Sequence, residues 1–235
     1  MIFRLIGTAG MLLAAAVAQD GEPRVISPGG GPGPAPSDAI VLLNSGSVEG
    51  WIGPSGAPAG CEVEGGVMEC ASGAGDIRTK HEFQNAQIHL EFATPSMPEQ
   101  KGQLRGNSGL YLHGRYELQI LDSYRNSTYA HGHLGALYGQ APPLVNAARR
   151  PGEWQSYDIV FHGPKCDASG NVVTKATVTA FLNGILVQDH VSIDASEKLG
   201  KGCTPGPILL QDHSGFPNAP RTVMRFRNVW LRPLE

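Results

Sequence analysis

The chain predicts an all-β fold, a sandwich or jelly roll of two antiparallel sheets, and three observations carry that expectation. Its 235 residues include 31 glycines and 18 prolines, too many helix breakers for a bundle. Apolar positions recur with a period of two through roughly a dozen short runs, and no segment keeps a helical period. Turn dipeptides separate the runs; Asn183-Gly184 and Gly65-Gly66 are the strongest hairpin signals among them. Many short strands with regular turns build sandwiches and jelly rolls.

Residues 1–18 read as a signal peptide. Arg4 supplies the positive end, Leu5 to Val17 the apolar stretch, and Ala16-Val17-Ala18 the small-residue cleavage site. An exported protein, periplasmic or extracellular, is therefore expected. The apolar stretch is too short to span a bilayer comfortably and no later run reaches that length, which predicts no membrane span. Residues 19–37 are dominated by Gly, Pro and Ser. They read as a disordered linker, because such a composition buries too little apolar surface to offset the entropy of ordering. A single domain is expected over 38–235.

Within it, Ile40 to Leu43 opens a short strand, and residues 61–70 form a hairpin around Gly65-Gly66. Asp76 to Lys80 and Phe83 to Phe92 are further strands, the second alternating cleanly from Ile88. Pro95 and Pro98 hold 94–105 out of any central strand. Asn107 to His113 and Gly114 to Asp122 are two strands meeting at a turn. Residues 123–148 form a long loop, and an ordered loop of that length is usually functional. Trp154 to Phe161, Thr177 to Leu182, Ile185 to Asp189, Ile208 to Gln211 and Val223 to Leu231 complete the sheets. His113 and His162 border turns and are expected at the surface.

Four cysteines in an exported chain suggest disulfides. Of three possible pairings, Cys61–Cys70 with Cys166–Cys203 is favoured, since each then closes a loop within one region. No pair has the C-x-x-C spacing of a zinc site. The net charge of −3 and the absence of a basic stripe argue against nucleic acid as a partner.

The stretch 114–122 carries the chemistry. Arg115, Glu117 and Gln119 alternate with Tyr116, Leu118 and Ile120. A strand with a cation, a carboxylate and a carboxamide on one face turns that face to solvent or to a ligand; the bland reading is a solvated Arg115–Glu117 pair. The segments GNSGLYLHGRYELQILDS (106–123), GALYGQ (135–140), PGEWQSYD (151–158), NGILVQ (183–188), GPILLQDH (206–213) and VMRFRNVWLRP (223–233) keep their order to the end of the chain. Together they resemble the 3-keto-disaccharide hydrolase domain family. The resemblance implies a concanavalin-like β-sandwich, export, and a saccharide or 3-keto-glycoside as substrate.

A ketone at sugar C3 acidifies the C2 proton, so a base can abstract it, the C1 aglycone can leave, and water can add back. Such a site needs a base, an acid and donors to the enolate oxygen. Glu117 is the candidate base, Gln119 an orienting group or donor, and His213 or His133 the acid. Asn107, Arg115, Tyr138 and Gln211 are candidate substrate contacts. Trp51, in a Gly/Pro loop, is a candidate sugar platform, with core packing as its alternative. A divalent metal held by Glu117 and histidines would replace the donors; the residues neither require nor exclude it. Glu117-x-Gln119-x-x-Asp122 is also similar to the acid pattern of laminarinase-type glucanases, with Asp122 brought to the site only by a β-bulge near Ile120-Leu121. Direct glycoside hydrolysis, a lectin-like binding module and a structural envelope domain are the alternatives to 3-keto-glycoside cleavage.

Overall fold

In the computed structural model, residues 24–25, 35–43, 46–195 and 202–235 are described. The expected signal peptide and most of the expected linker lie outside them. In chain order the strands are β1 (Arg24–Val25), β2 (Ile40–Val41), β3 (Trp51–Ile52), β4 (Glu62–Glu64), β5 (Val67–Ala71), β6 (Ile77–Phe83), β7 (Asn85–Ala93), β8 (Asn107–Leu112) and β9 (Tyr116–Leu121). They continue as β10 (Val145–Asn146), β11 (Gln155–His162), β12 (Lys165–Cys166), β13 (Val172–Thr174), β14 (Ala176–Leu182), β15 (Ile185–Ile193), β16 (Gly206–Leu210) and β17 (Val223–Pro233).

Two antiparallel sheets form the sandwich. The larger runs β15-β14-β11-β7-β17-β5-β4, with β2 added against β17; the smaller runs β3-β6-β16-β8-β9. Alternation decides which side chains meet between them. Ile88, Leu90 and Phe92 from the larger sheet and Leu110, Leu118 and Ile120 from the smaller are all buried at 0 % exposure. Each such side chain removed from water contributes about 1.5–3 kcal/mol. Outside the sheets, β1 pairs in parallel with β10, within the segment expected to be a linker.

Three hairpins carry paired positive φ angles at their turns: Gly65 and Gly66 (56° and 82°), His113 and Gly114 (54° and 64°), Asn183 and Gly184 (54° and 81°). Mirror-type turns of this kind match the twist of the flanking strands. Asn183 is also anchored by its side chain, which accepts from Ser156 N and donates to the Ala147 carbonyl.

Both expected disulfides form, Cys61–Cys70 and Cys166–Cys203. The first ties the open ends of the β4–β5 hairpin; the second spans 37 residues, from β12 to the segment entering β16. Closing a loop of that length in the unfolded chain stabilises the fold by about 3–4 kcal/mol. Among the described residues no helix is long and apolar enough to cross a membrane.

Two readings are corrected. The expected strand 83–92 is divided: Phe83 ends β6 in the smaller sheet and Asn85 begins β7 in the larger, so Gln84 is where the chain crosses between layers. His113, expected at the surface, is only 2 % exposed. Its ring packs against Phe83, Phe161 and Tyr116, and its Nε2 meets the Gln84 carbonyl at 3.1 Å. The positive φ at the turn directs the side chain inward rather than out.

Candidate active site

The smaller sheet has one apolar face, turned to the core, and one polar face, turned outward. Strands β8 and β9 pair in unbroken register from Asn107↔Leu121 to Leu112↔Tyr116. Regular pairing puts Gly109, Tyr111, Glu117 and Gln119 on the outer face, opposite in sense to Leu110 and Leu118. The neighbouring strand β16 adds Gln211 just past its end, where Gln211 N donates to the Gly109 carbonyl. A cleft of about 630 Å³ opens over this face, lined by Asp76, Asn107, Tyr111, Glu117, Gln119 and Gln211 among others.

Gly109 forms the floor. A Cβ there would stand 2.7 Å from Glu117 Oε1 and 2.7 Å from Tyr111 Cε2, so only glycine lets both side chains lean in. They do so as a pair: the Tyr111 hydroxyl donates to Glu117 Oε2 at 2.7 Å and accepts from Gln211 Nε2 at 3.1 Å. Burial pushes the Glu117 carboxyl up, the Tyr111 hydrogen bond pulls it down, and the charge of Asp76 adds to the rise; the result is a pKa of about 7. A carboxylate poised there is a general base matched to neutral pH.

Two carboxamides flank the base. Gln119 Nε2 donates to Gln103 Oε1 at 3.0 Å, and its Oε1 accepts from Ile120 N. Gln211 spends one amide hydrogen on Tyr111. Each side chain carries two such hydrogens, so each retains one for a bound oxygen. Asn107 Nδ2 donates to the backbone carbonyl of Gln103 at 2.9 Å, which establishes the amide's orientation. The same nitrogen lies 3.2 Å from His213 Nε2. That ring nitrogen therefore accepts, leaving the proton of the neutral ring on Nδ1. Desolvation holds His213 below its ordinary pKa, partly opposed by Asp212, which favours the neutral ring.

The loop after β9 builds one wall. Gln119 N donates to the Ala136 carbonyl, Gly135 N to the Gln119 carbonyl and Tyr138 N to the Glu117 carbonyl. These bonds extend the sheet past its edge and place Tyr138 beside the base, its hydroxyl bonded to that of Tyr129. The other wall is His213 stacked on Phe216, ring centres 4.9 Å apart.

The cleft thus gathers Asn107, Glu117, Gln119, Tyr138, Gln211 and His213 from the residues expected on sequence. Others stand apart. Trp51 is 1 % exposed, its Nε1 donating to the Leu42 carbonyl, so it anchors the core. Arg115 sits in the β8–β9 turn and donates to Thr204 rather than to Glu117. His133 is buried at 1 % exposure and does not line the cleft. Asp122 lies beyond β9 with no bulge to return it; it is 1 % exposed and pairs with Arg105 at 3.1 Å. The paired-acid pattern of a laminarinase-type site is therefore not assembled.

Among the described residues no three His, Cys, Asp or Glu side chains converge to hold a metal ion. Sequence reasoning passed over Tyr111, Gln103, Asp76 and Phe216. Tyr111 had a signal, for it shares the period-two face of Asn107 and Gly109. Gln103 and Phe216 lie in loops whose approach no periodicity encodes.

The chain is an antiparallel β-sandwich whose open cleft carries a carboxylate, carboxamides and aromatic rings. Residues 38–232 match the 3-keto-alpha-glucoside-1,2-lyase-like domain, and the chain belongs to that family. A protein of Parabacteroides distasonis ATCC 8503, assigned provisionally as a glycosyl hydrolase, superposes with a TM-score of 0.80 at 38 % identity, covering 98 % of this chain and all of its own. A second protein of that organism, with the same provisional assignment, gives a TM-score of 0.61 at 22 % identity over 84 % of this chain and 94 % of its own, a likeness of fold. Among curated proteins, none matches the chain. Fold, family and site together make this a carbohydrate-active hydrolase or lyase.

Proposed function

We propose that the cleft cleaves 3-keto-glycosides, with Glu117 removing the C2 proton, the C1 aglycone departing, and water adding at C1. The observation that supports this most is a carboxylate held near pKa 7 with carboxamide donors on either side. Proton abstraction beside a ketone needs one base at neutral pH and donors for the enolate oxygen, not two carboxylates at a set separation. The remaining hydrogens of Gln119 and Gln211 suit the enolate oxygen, Asn107 and Tyr138 suit sugar hydroxyls, and His213 orients Asn107. Two disulfides and the N-terminal sequence support an exported protein, periplasmic or extracellular.

The test pairs 3-keto-glucosides with their unoxidised parents. Cleavage of the keto compounds alone is expected, with Glu117→Gln lowering turnover by about 10²–10⁴-fold while saccharide binding survives. Cleavage of the parents alone would overturn the reading. Binding without turnover in either set would return the lectin-like alternative.

A further inference from the structure

Loss of the aglycone from C1 places charge on an oxygen that needs a proton, unless it belongs to an acidic alcohol. The polar groups lining the cleft narrow the choice of donor. The Tyr111 hydroxyl already donates to Glu117. His213 accepts from Asn107 at Nε2, and desolvation favours the neutral ring, whose remaining N–H is a poor acid. The Tyr138 hydroxyl shares a hydrogen bond with that of Tyr129, in which either oxygen can be the donor, and a phenol is a weaker acid than a carboxyl group. Asp212 is committed as a carboxylate: desolvation opposes its ionisation, but the amides of Ser214, Gly75 and Gly73 outweigh it and hold the carboxyl below its usual range.

Asp76 remains. It stands one position before β6, where Ile77 pairs with Leu210, Leu210 with Leu110, and Leu110 with Leu118. The next rank across the outer face is therefore Asp76, Gln211, Gly109 and Gln119. Asp76 and Gln119 mark its two ends, about 14 Å apart across the strands, and the glycine floor lies between them. Asp76 Oδ1 accepts from Asp212 N at 2.8 Å, while among the described residues its second oxygen has no protein partner. Asp76, Tyr111 and Glu117 all line the cleft, so the two carboxyl groups address one space. Desolvation, opposed by the hydrogen bond from Asp212 N and joined by the Asp212 charge, holds the Asp76 carboxyl above its ordinary range.

Building on the 3-keto-glycoside reading, we propose that Asp76 is the catalytic acid that protonates the departing aglycone oxygen. Glu117 takes the C2 proton and the C–H electron pair forms the enolate. The enolate collapses to a C1=C2 double bond, the C1–O bond breaks with its pair on the aglycone oxygen, and Asp76 supplies the proton. In the return step the Asp76 carboxylate takes a proton from water as its oxygen bonds to C1, and Glu117 returns its proton to C2. The sum is glycoside plus water giving 3-keto sugar plus alcohol, with both carboxyl groups reset.

The experiment compares Asp76→Asn with the parent protein on 4-nitrophenyl and methyl 3-keto-glucosides. The nitrophenolate leaves without an acid and methoxide does not. Asp76→Asn should lose about 10²-fold or more on the methyl glycoside and stay within a few-fold on the nitrophenyl one, whereas Glu117→Gln loses both. Asp76→Glu should recover part of the methyl activity. Equal losses on both substrates, or none on either, overturn the role of Asp76 while the parent's turnover leaves the 3-keto reading standing. A parent protein inert toward both keto substrates overturns the two together. A melting temperature for Asp76→Asn close to the parent's assigns the loss to chemistry; a collapse to the unfolded state moves the same comparison to Asp76→Glu, where equal losses again overturn the role.

Discussion

Tyr111 and Glu117 face each other across the β8–β9 hairpin, hydroxyl to carboxylate at 2.7 Å, over the space left by Gly109. The pair sets the protonation of the base. Burial disfavours the charged carboxylate, and the tyrosine hydrogen bond favours it without cancelling the burial.

The pH dependence of cleavage follows from that balance. A base must be deprotonated to act, so on the 4-nitrophenyl substrate, whose leaving group needs no acid, kcat/KM should rise with pH through about 7. Tyr111→Phe removes the interaction that favours the carboxylate, and the midpoint should move upward. A pH–rate series on both proteins checks this; an unmoved midpoint would show that Tyr111 does not tune the base.

Stability should respond to Glu117 in the opposite sense to activity. Its folded pKa of about 7 lies above the ordinary 4.5, so its contribution is full below 4.5 and lost as pH rises through 7. Above pH 7 the charged, desolvated group costs on the order of 3 kcal/mol. Glu117→Gln removes that cost and should raise the melting temperature at about pH 8 while changing it little near pH 4. Thermal unfolding at the two pH values decides; a variant less stable at both would contradict the buried-charge account.

Gly109→Ala should damage activity out of proportion to its size. The new methyl would meet Glu117 Oε1 and Tyr111 Cε2 at 2.7 Å, and one of them must withdraw. A fall of about 10²-fold in kcat is expected, since misplacing a reacting group by ~1 Å has that effect. The substitution touches flexible side-chain ends, so the fold should persist. Kinetics with circular dichroism would test both halves of that statement.

His113 carries a separate, acid-side liability. Burial lowers its pKa to about 4, with the Arg115 charge adding to the shift. A depressed histidine stabilises the fold fully above its ordinary 6.5, and that contribution is lost as pH falls toward 4, a change on the order of 2–3 kcal/mol. His113→Asn keeps a side chain suited to the positive φ but cannot titrate. It should be less stable at neutral pH, because it leaves a cavity among Phe83, Tyr116 and Phe161, yet lose less on acidification. Urea unfolding at about pH 7 and 4.5 measures the difference; equal losses in both proteins would remove His113 from the acid response.

Much of the architecture was legible because strand periodicity and turn chemistry are local. Asn183-Gly184 and Gly65-Gly66 specify their hairpins by residue type alone, and both disulfides join regions whose proximity loop length suggests. The β6–β7 boundary escaped because Gln84 joins two strands in different layers, and no composition signal marks a change of sheet. His113 escaped because the direction of a side chain at positive φ depends on what packs beneath it.

The site divides along the same line. Alternation along 114–122 was enough to put Glu117 and Gln119 on one face, and the regular register of β8 and β9 keeps Asp122 from joining them. Three decisions belonged to the tertiary structure. Gln211 lies 100 residues from Tyr111 and joins the Tyr111–Glu117 hairpin pair only when β16 pairs with β8. Burial, which raises the Glu117 pKa, is produced by the walls that distant loops bring over it. Trp51 went to the core and Phe216 to the cleft because packing, not residue type, settles which aromatic ring meets solvent. Sequence alone determines period, turn and residue chemistry, since these act over a few positions. Distance and desolvation are properties of the assembled sandwich.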